Sequence, residues 1–320
     1  MQSIQLLYPL ILSGLIVAGL TPVFIKIFRK KQLGQTTRGE GPSWHEVKSG
    51  TPTMGGVSIL IAISITMLIF GMLYSVNSLL VLLLTFILLV YGTIGFIDDY
   101  IKVMMKRNLG LTSLQKLIGQ IVGAVLFYIG VSQVLDIQSI ALPFGTEIDL
   151  GIFYLLFILF WLVGFSNATN LTDGIDGLLT TTAFISYFTY TVIAVFQEQY
   201  EVAIFTSAIL GALLGFFIFN RKPAQIFMGD VGSLALGAGL AAVSIVLNQE
   251  WTLLLIGIIF VIETASVMLQ VASFKTTGKR LFKMSPIHHH FEMVGWGEWK
   301  IVVIFSLITL TASLLTMLIL

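Results

Sequence analysis

The sequence predicts an all-α integral membrane protein of ten transmembrane helices, and three observations carry that prediction. Hydrophobic residues make up 57% of the 320 and charged residues 10%, against roughly 25% charged in an ordinary soluble domain. The apolar residues gather into ten runs, each near the roughly 20 residues a helix needs to cross hydrocarbon. When these runs alternate across a bilayer, all 17 Lys and Arg fall on one face or in the helix ends that abut it. The whole chain, 1–320, reads as a single polytopic membrane domain.

The first run, Ile4 to Phe28, carries its basic cluster (Lys26, Arg29, Lys30, Lys31) at its far end. A secretory signal has its positive charges first and a shorter apolar core, so this run reads as an uncleaved span with its N-terminus outside. With it, the spans fall at roughly 4–28, 54–73, 79–99, 114–135, 151–168, 177–196, 202–219, 232–247, 251–273 and 301–320. The loops at about 29–53, 100–113, 169–176, 220–231 and 274–300 then share the basic face. The other face holds Asp136, Glu147, Asp149, Glu198, Glu201 and Glu250. The positive-inside rule makes the basic face cytoplasmic and puts both termini outside. A wrong span count would scramble this segregation.

Smaller features fit the same frame. Residues 137–150 alternate weakly around Phe144-Gly145 and predict a small external β-hairpin. Gly119/Gly123 and Gly211/Gly215 have the small-xxx-small spacing that lets helices approach closely. The absence of cysteine excludes disulfides and thiolate metal sites. No internal repeat of the transporter kind is present. Glu263, near the middle of the ninth span, breaks the pattern. A proton or ion relay is one reading. A polar residue bonded to neighbouring helices is the simpler one, because a lone intramembrane acid without a basic partner makes a poor transport path.

The remaining unusual polar residues lie in five basic-face loops, which predicts one composite site on the cytoplasmic face. In "KSGTPTMGG", Lys48 can meet an anion, Thr51 and Thr53 offer hydroxyls, and Gly55-Gly56 let backbone approach a ligand. A helix N-cap after a proline turn is the alternative. In "FIDDYIKVMMKR", Asp98 and Lys102 are i,i+4 and share a helix face, while Asp99 is turned about 100° away. Lys106, Arg107 and Lys116 follow, with Lys116 set furthest into the next span. In "NATNLTDGIDGL", Asn167, Asn170, Asp173 and Asp176 recur every third residue, along one side of a helix or 3₁₀ turn, and Gly174 and Gly177 leave room beside them. Such an amide and carboxylate stripe suits a hydrated divalent cation and its phosphates.

The fourth loop, "NRKPAQIFMGDVGS", begins at Asn220 and places Asp230 between Gly229 and Gly232. Ser233 is positioned to cap the next helix, and Phe227 either stacks on a base or anchors the interface. The fifth, "KRLFKMSPIHHHFE", carries His288, His289 and His290. Adjacent side chains on a helix diverge and no HExxH spacing is present, so the run suits phosphate, sugar or base recognition better than zinc. Together these residues supply acids for Mg²⁺, lysines and histidines for phosphate oxygens, and glycines for close approach, which is equipment for phosphoryl transfer. No GxxxxGK[ST] loop exists. The activated phosphate would then come from the substrate, such as a nucleotide-sugar, and the acceptor would be a lipid reaching the site from the bilayer.

"TPTMGG", "FIDDYIK", "NATNLTDGIDGL", "PAQIFMGDVGS" and "PIHHHFE" resemble, over essentially the whole chain, the motifs of the phospho-N-acetylmuramoyl-pentapeptide transferase family, within the polyprenyl-phosphate N-acetylhexosamine-1-phosphate transferase superfamily. The "HHHFE" run is characteristic of this branch. The resemblance implies a Mg²⁺-dependent enzyme of the bacterial cytoplasmic membrane, commonly a homodimer and with no nucleic-acid partner. It would convert UDP-N-acetylmuramoyl-pentapeptide and undecaprenyl phosphate into lipid I and UMP. It makes Asp230 the metal ligand and Asp98, Asp99 and Asp176 essential acids. Lys102, Lys116 and His289 join them as catalytic groups. Phe227 would stack on uracil, and the Asn170–Asp176 loop, with Asp173 and Gly174, would line the nucleoside pocket. Lys48, Thr53, Lys116 and the histidines, His288 and His290 among them, would hold phosphates and sugar, with Asn167 and Asn220 also on the substrate side. Asp98 is expected to meet the lipid phosphate, and Asp99 to face the lysines or the metal's water shell. A sister enzyme using UDP-N-acetylglucosamine is the nearest rival. A secondary transporter is a rival of another class, predicting paired charges and broken spans at mid-membrane.

Overall fold

A computed structural model describes residues 2–30, 50–74, 78–105 and 109–320. Among the described residues, ten helices are long and apolar enough to cross a membrane. They are α1 (Gln2–Lys30), α2 (Gly56–Tyr74), α3 (Leu79–Met104), α4 (Ser113–Val131), α5 (Tyr154–Thr172), α6 (Leu178–Phe196), α7 (Tyr200–Asn220), α8 (Gly229–Val246), α10 (Ile258–Thr277) and α12 (Glu298–Ile319). Two short helices, α9 (Thr252–Ile256) and α11 (Ile287–Met293), complete the set. The predicted hairpin is present: β1 (Ser139–Ala141) pairs antiparallel with β2 (Glu147–Asp149), Ile140 opposite Ile148.

Small residues decide which helix occupies the middle. Helix α8 carries Gly232, Ala235, Gly237, Ala238, Gly239, Ala241 and Ala242, and every residue from Val231 to Val246 is buried. A helix this thin lets its neighbours approach to backbone contact. A Cβ at Gly237 would collide with the Phe165 carbonyl of α5, and one at Gly56 would collide with the Gly232 backbone. The small-xxx-small pairs act the same way. Gly211 and Gly215 of α7 meet the α1 backbone at Leu10 and Gly14, and Gly119 and Gly123 of α4 admit Ile94 and Val90 of α3. Gly55 and Gly56 were expected to admit a ligand. They are instead packing positions, against Phe216 and the Phe227 carbonyl, and against α8.

The ninth span is not one helix. It breaks at Gly257, between α9 and α10. Glu263 therefore lies in the second turn of α10, bonded inside the bundle as the simpler reading expects, but with a partner that the sequence did not reveal. His288 Nδ1 is 3.0 Å from its Oε1, and both residues are fully buried. A contact between residues 25 apart across a loop leaves no trace in local spacing.

Glu250 lies at the opposite end of the bundle from the five decorated loops, fully buried, with the Tyr154 hydroxyl on Oε1 and, among the described residues, no hydrogen-bond partner on Oε2. Burial pushes its carboxyl up to about 7, and the Tyr154 hydrogen bond only partly offsets this. The unfolded chain ionises near 4.5, so between these values the folded protein retains a proton the unfolded one has lost. Stability is then fully present below 4.5 and falls by about 3 kcal/mol as pH rises through 7. Glu250→Gln cannot ionise. Its thermal midpoint in detergent is expected to decline less than that of wild type from pH 5 to 8; parallel profiles would refute the assignment.

Candidate active site

Three helix ends converge at the basic end of the bundle. Helix α3 runs past the predicted span end to Met104, so Asp98, Asp99 and Lys102 sit in its last turns. Helix α4 begins with a capping box in which Thr112 Oγ1 accepts from the Gln115 amide (3.2 Å) and Gln115 Oε1 accepts from the Thr112 amide (2.9 Å). This places Lys116 in the first turn, where a helix dipole disfavours a cation. It is held there by acids from elsewhere. Helix α8 begins at Gly229, with Asp230 in its first turn, where the dipole favours an anion.

The charges interlock. Lys102 Nζ lies 2.5 Å from Asp98 Oδ2, 3.1 Å from Asp230 Oδ2 and 3.8 Å from Asp99 Oδ1. Lys116 Nζ lies 2.7 Å from Asp230 Oδ2 and 3.4 Å from Asp98 Oδ2. Asn170 Nδ2 donates to Asp230 Oδ1 (2.8 Å) and Ser233 Oγ (2.9 Å). The two adjacent acids of α3 have different tasks, as helix geometry predicts. Asp98 Oδ1 accepts from the Leu111 amide (2.8 Å), tying down the loop before α4. Asp99 Oδ2 accepts from the Val231 amide (3.3 Å), facing the start of α8. Three carboxylates against two ammoniums leave the cluster with a formal charge of −1. One oxygen from each of Asp98, Asp99 and Asp230 lies within 4.8 Å of the others. Hard oxygen donors so arranged fit a divalent cation that keeps some waters and takes further oxygens from phosphates.

The stripe of Asn167, Asn170, Asp173 and Asp176 does not hold as a single face. Helix α5 ends at Thr172, so the four residues diverge. Asn167 Nδ2 donates to Val163 O and to Gln120 Oε1 of α4, away from the acids. Asn170 reaches Asp230. Asp173 caps α5; burial, then the nearby Asp230 and Asp99, raises its carboxyl well above the usual range, with the Gly229 amide opposing. Asp176 Oδ2 accepts from the Ala224 amide (3.0 Å) and steadies the 221–228 loop.

Other assignments also change. Asn220 is a brace: its Oδ1 accepts from the Thr180 hydroxyl and its Nδ2 donates to Ile226 O, both inside the protein. Ser233 does not cap α8, which starts four residues earlier; its hydroxyl donates to Gly229 O. Phe227 pairs by backbone with Pro52 and Gly55, which locks the 50–56 segment against α8. Thr53 is buried beside Gly229. Gly174 is not open space, because His288 Nε2 fills the place of its missing side chain. Lys48, Lys106 and Arg107 lie outside the described residues.

The three histidines do not simply diverge: the His288 and His289 rings pack with centroids 4.1 Å apart, although each ring has a different hydrogen-bond partner. His288 turns to Glu263, His289 Nδ1 lies 2.7 Å from Glu292 Oε2, and His290 Nδ1 accepts from the Lys283 amide. Phe291, stacked 4.5 Å from Trp296 and edge-on to Phe305, anchors α11 to α12. Sequence reasoning passed over Gln120, Glu292 and the Glu263–His288 pair. Only His289–Glu292, at i,i+3, carried a local signal.

A polytopic membrane protein with acids and lysines interlocked at one end of its bundle has the form of a membrane-embedded group transferase. The profile described as glycosyl transferase family 4 matches residues 79–248, which bring α3, α4, α5 and α8 together. The phospho-N-acetylmuramoyl-pentapeptide-transferase signature 1 matches residues 48–60. Proteins named phospho-N-acetylmuramoyl-pentapeptide-transferase are 55% identical to this chain in Enterococcus faecalis, over 99% of both chains. The same identity is found in Lactiplantibacillus plantarum over 96% of both, and in Listeria innocua over 92% of both. The chain belongs to the phospho-N-acetylmuramoyl-pentapeptide-transferase family, multi-pass transferases of the bacterial cytoplasmic membrane.

Proposed function

We propose that this protein transfers phospho-N-acetylmuramoyl-pentapeptide from its UDP-linked form to undecaprenyl phosphate, giving lipid I and UMP, the first membrane step of peptidoglycan synthesis. The basic end faces the cytoplasm, both termini lie outside, and the working unit is a homodimer. The observation that carries the reaction is the five-charge cluster of Asp98, Asp99, Lys102, Lys116 and Asp230.

A phosphate monoester has a second pKa of about 6, so much of the lipid phosphate is already dianionic at pH 7. A general base is then worth less than charge neutralisation, because the barrier is two anions meeting. Lys102 and Lys116 supply that neutralisation, and Asn170 orients Asp230. Asp230, Asp98 and Asp99 would hold Mg²⁺, which supplies further positive charge to the pyrophosphate oxygens. Asp98 has one oxygen on the Leu111 amide and the other beside Lys102. It is placed to position Lys102, and the lipid phosphate itself attacks the phosphate bonded to the sugar, forming the new pyrophosphate as the bond to UMP breaks. Phe227 and the Asp173–Asp176 turn border the nucleoside. The test is Mg²⁺-dependent UMP release by purified protein with both substrates. Wild type is expected to release UMP with the muramoyl-pentapeptide donor and not with UDP-N-acetylglucosamine; the reverse preference would overturn the assignment.

A further inference from the structure

Glu263 and His288 stand apart from the acid–lysine cluster. Both are fully buried, and His288 Nδ1 lies 3.0 Å from Glu263 Oε1. A neutral ring that donates from Nδ1 to Glu263 Oε1 keeps its lone pair on Nε2. That Nε2 is buried and has no hydrogen-bond partner among the described residues. It points at the Asp173–Gly174 turn, close enough that any side chain at 174 would collide with it. Gly174 itself is exposed. A native structure rarely leaves a buried acceptor unpaired without a use for it. The ring cannot easily turn away, because Glu263 holds one nitrogen and the Phe291 anchor fixes the helix that carries it.

We propose that Glu263 is a positioning residue, holding His288 in the Nδ1–H tautomer so that Nε2 accepts a hydrogen bond from a hydroxyl or N–H of the nucleotide-sugar bound at the Asp173–Gly174 turn. This rests on the nucleotide-sugar reading above. Glu263→Gln keeps the shape, but its amide NH₂ can donate to Nδ1, moving the ring proton to Nε2 and turning the acceptor into a donor. The expected result is a KM for UDP-N-acetylmuramoyl-pentapeptide raised about tenfold or more, with the KM for undecaprenyl phosphate and the thermal midpoint close to wild type. In a His288→Asn background the same change is expected to add less than about twofold, because the two residues act as a unit. An unchanged donor KM, or equal rises in both KM values with a lowered midpoint, would overturn the proposal. Whether or not Glu263→Gln folds, ¹⁵N NMR of histidine-labelled wild type, with His288 assigned by the Asn variant, reads the tautomer. A proton on Nδ1 alone supports the proposal, and a proton on Nε2, alone or together with one on Nδ1, defeats it. If wild type releases no UMP, the functional reading fails while the tautomer still tests the pair.

Discussion

Asp230→Asn is expected to lower Mg²⁺-dependent UMP release by about 10²–10³-fold or more, the range seen when one preorganised electrostatic contact is removed from a reacting centre. The side chain keeps its shape, so the α8 backbone has no cause to move. What changes is charge at the point where both lysines and Asn170 converge. Asp230 Oδ2 is shared by Lys102 and Lys116, and an amide in its place gives them a weaker acceptor, or an NH₂ group facing two ammoniums. The oxygen donor set for a divalent cation also falls from three carboxylates to two. Stability should respond far less than activity. The formal charge of the cluster goes from −1 to zero, so lost attraction to the lysines is offset by lost repulsion from Asp98 and Asp99. The measurement is UMP release at saturating Mg²⁺ beside a thermal midpoint in the same detergent. Equal release by variant and wild type would remove Asp230 from the chemistry. Loss of activity matched by loss of folding would make it structural.

The ten helices and the hairpin were legible because membrane solvation and strand pairing impose long-wavelength rules. Ten apolar runs and a weak alternation at 137–150 each report a constraint spread over many residues, and local accidents do not erase it. The acids and lysines of the site were legible for a related reason. A charge at the edge of a span is expensive and so stands out. What the sequence hid was direction. The three-residue spacing from Asn167 to Asp176 looked like one face, but α5 stops at Thr172 and the chain turns, sending Asp176 to the 221–228 loop. The family resemblance puts Asn220 on the substrate side, yet its amide is consumed by Thr180 and Ile226. Glycines are the most ambiguous signal in the sequence. Gly55, Gly56 and Gly174 were expected to make room for a ligand, and each is filled by protein. A glycine in sequence states that a Cβ is excluded without naming what excludes it.

Gly95 shows what that exclusion protects. It is one turn before Asp98 and Asp99 on α3, and a Cβ there would fall on the Asp230 carbonyl and within 2.6 Å of the Val231 nitrogen. Both obstacles are α8 backbone, which cannot rotate out of the way. Gly95→Ala must therefore push the start of α8 outward, carrying Asp230 away from Lys102 and Lys116 and stretching the Val231 amide from Asp99. A misplacement near 1 Å can cost about 10²-fold in rate, and overpacking at such a site costs roughly 1–3 kcal/mol. Gly119→Ala is the matched control. It lies between the same α3 and its neighbour α4, but the nearest atom to its Cβ would be Ile94 Cδ1 at 3.2 Å, the far end of a flexible side chain. That variant is expected to keep its UMP release within about twofold of wild type, since such a contact relaxes by a small rotamer shift. If Gly95→Ala and Gly119→Ala behave alike, close backbone approach between α3 and α8 is not what sets the position of Asp230.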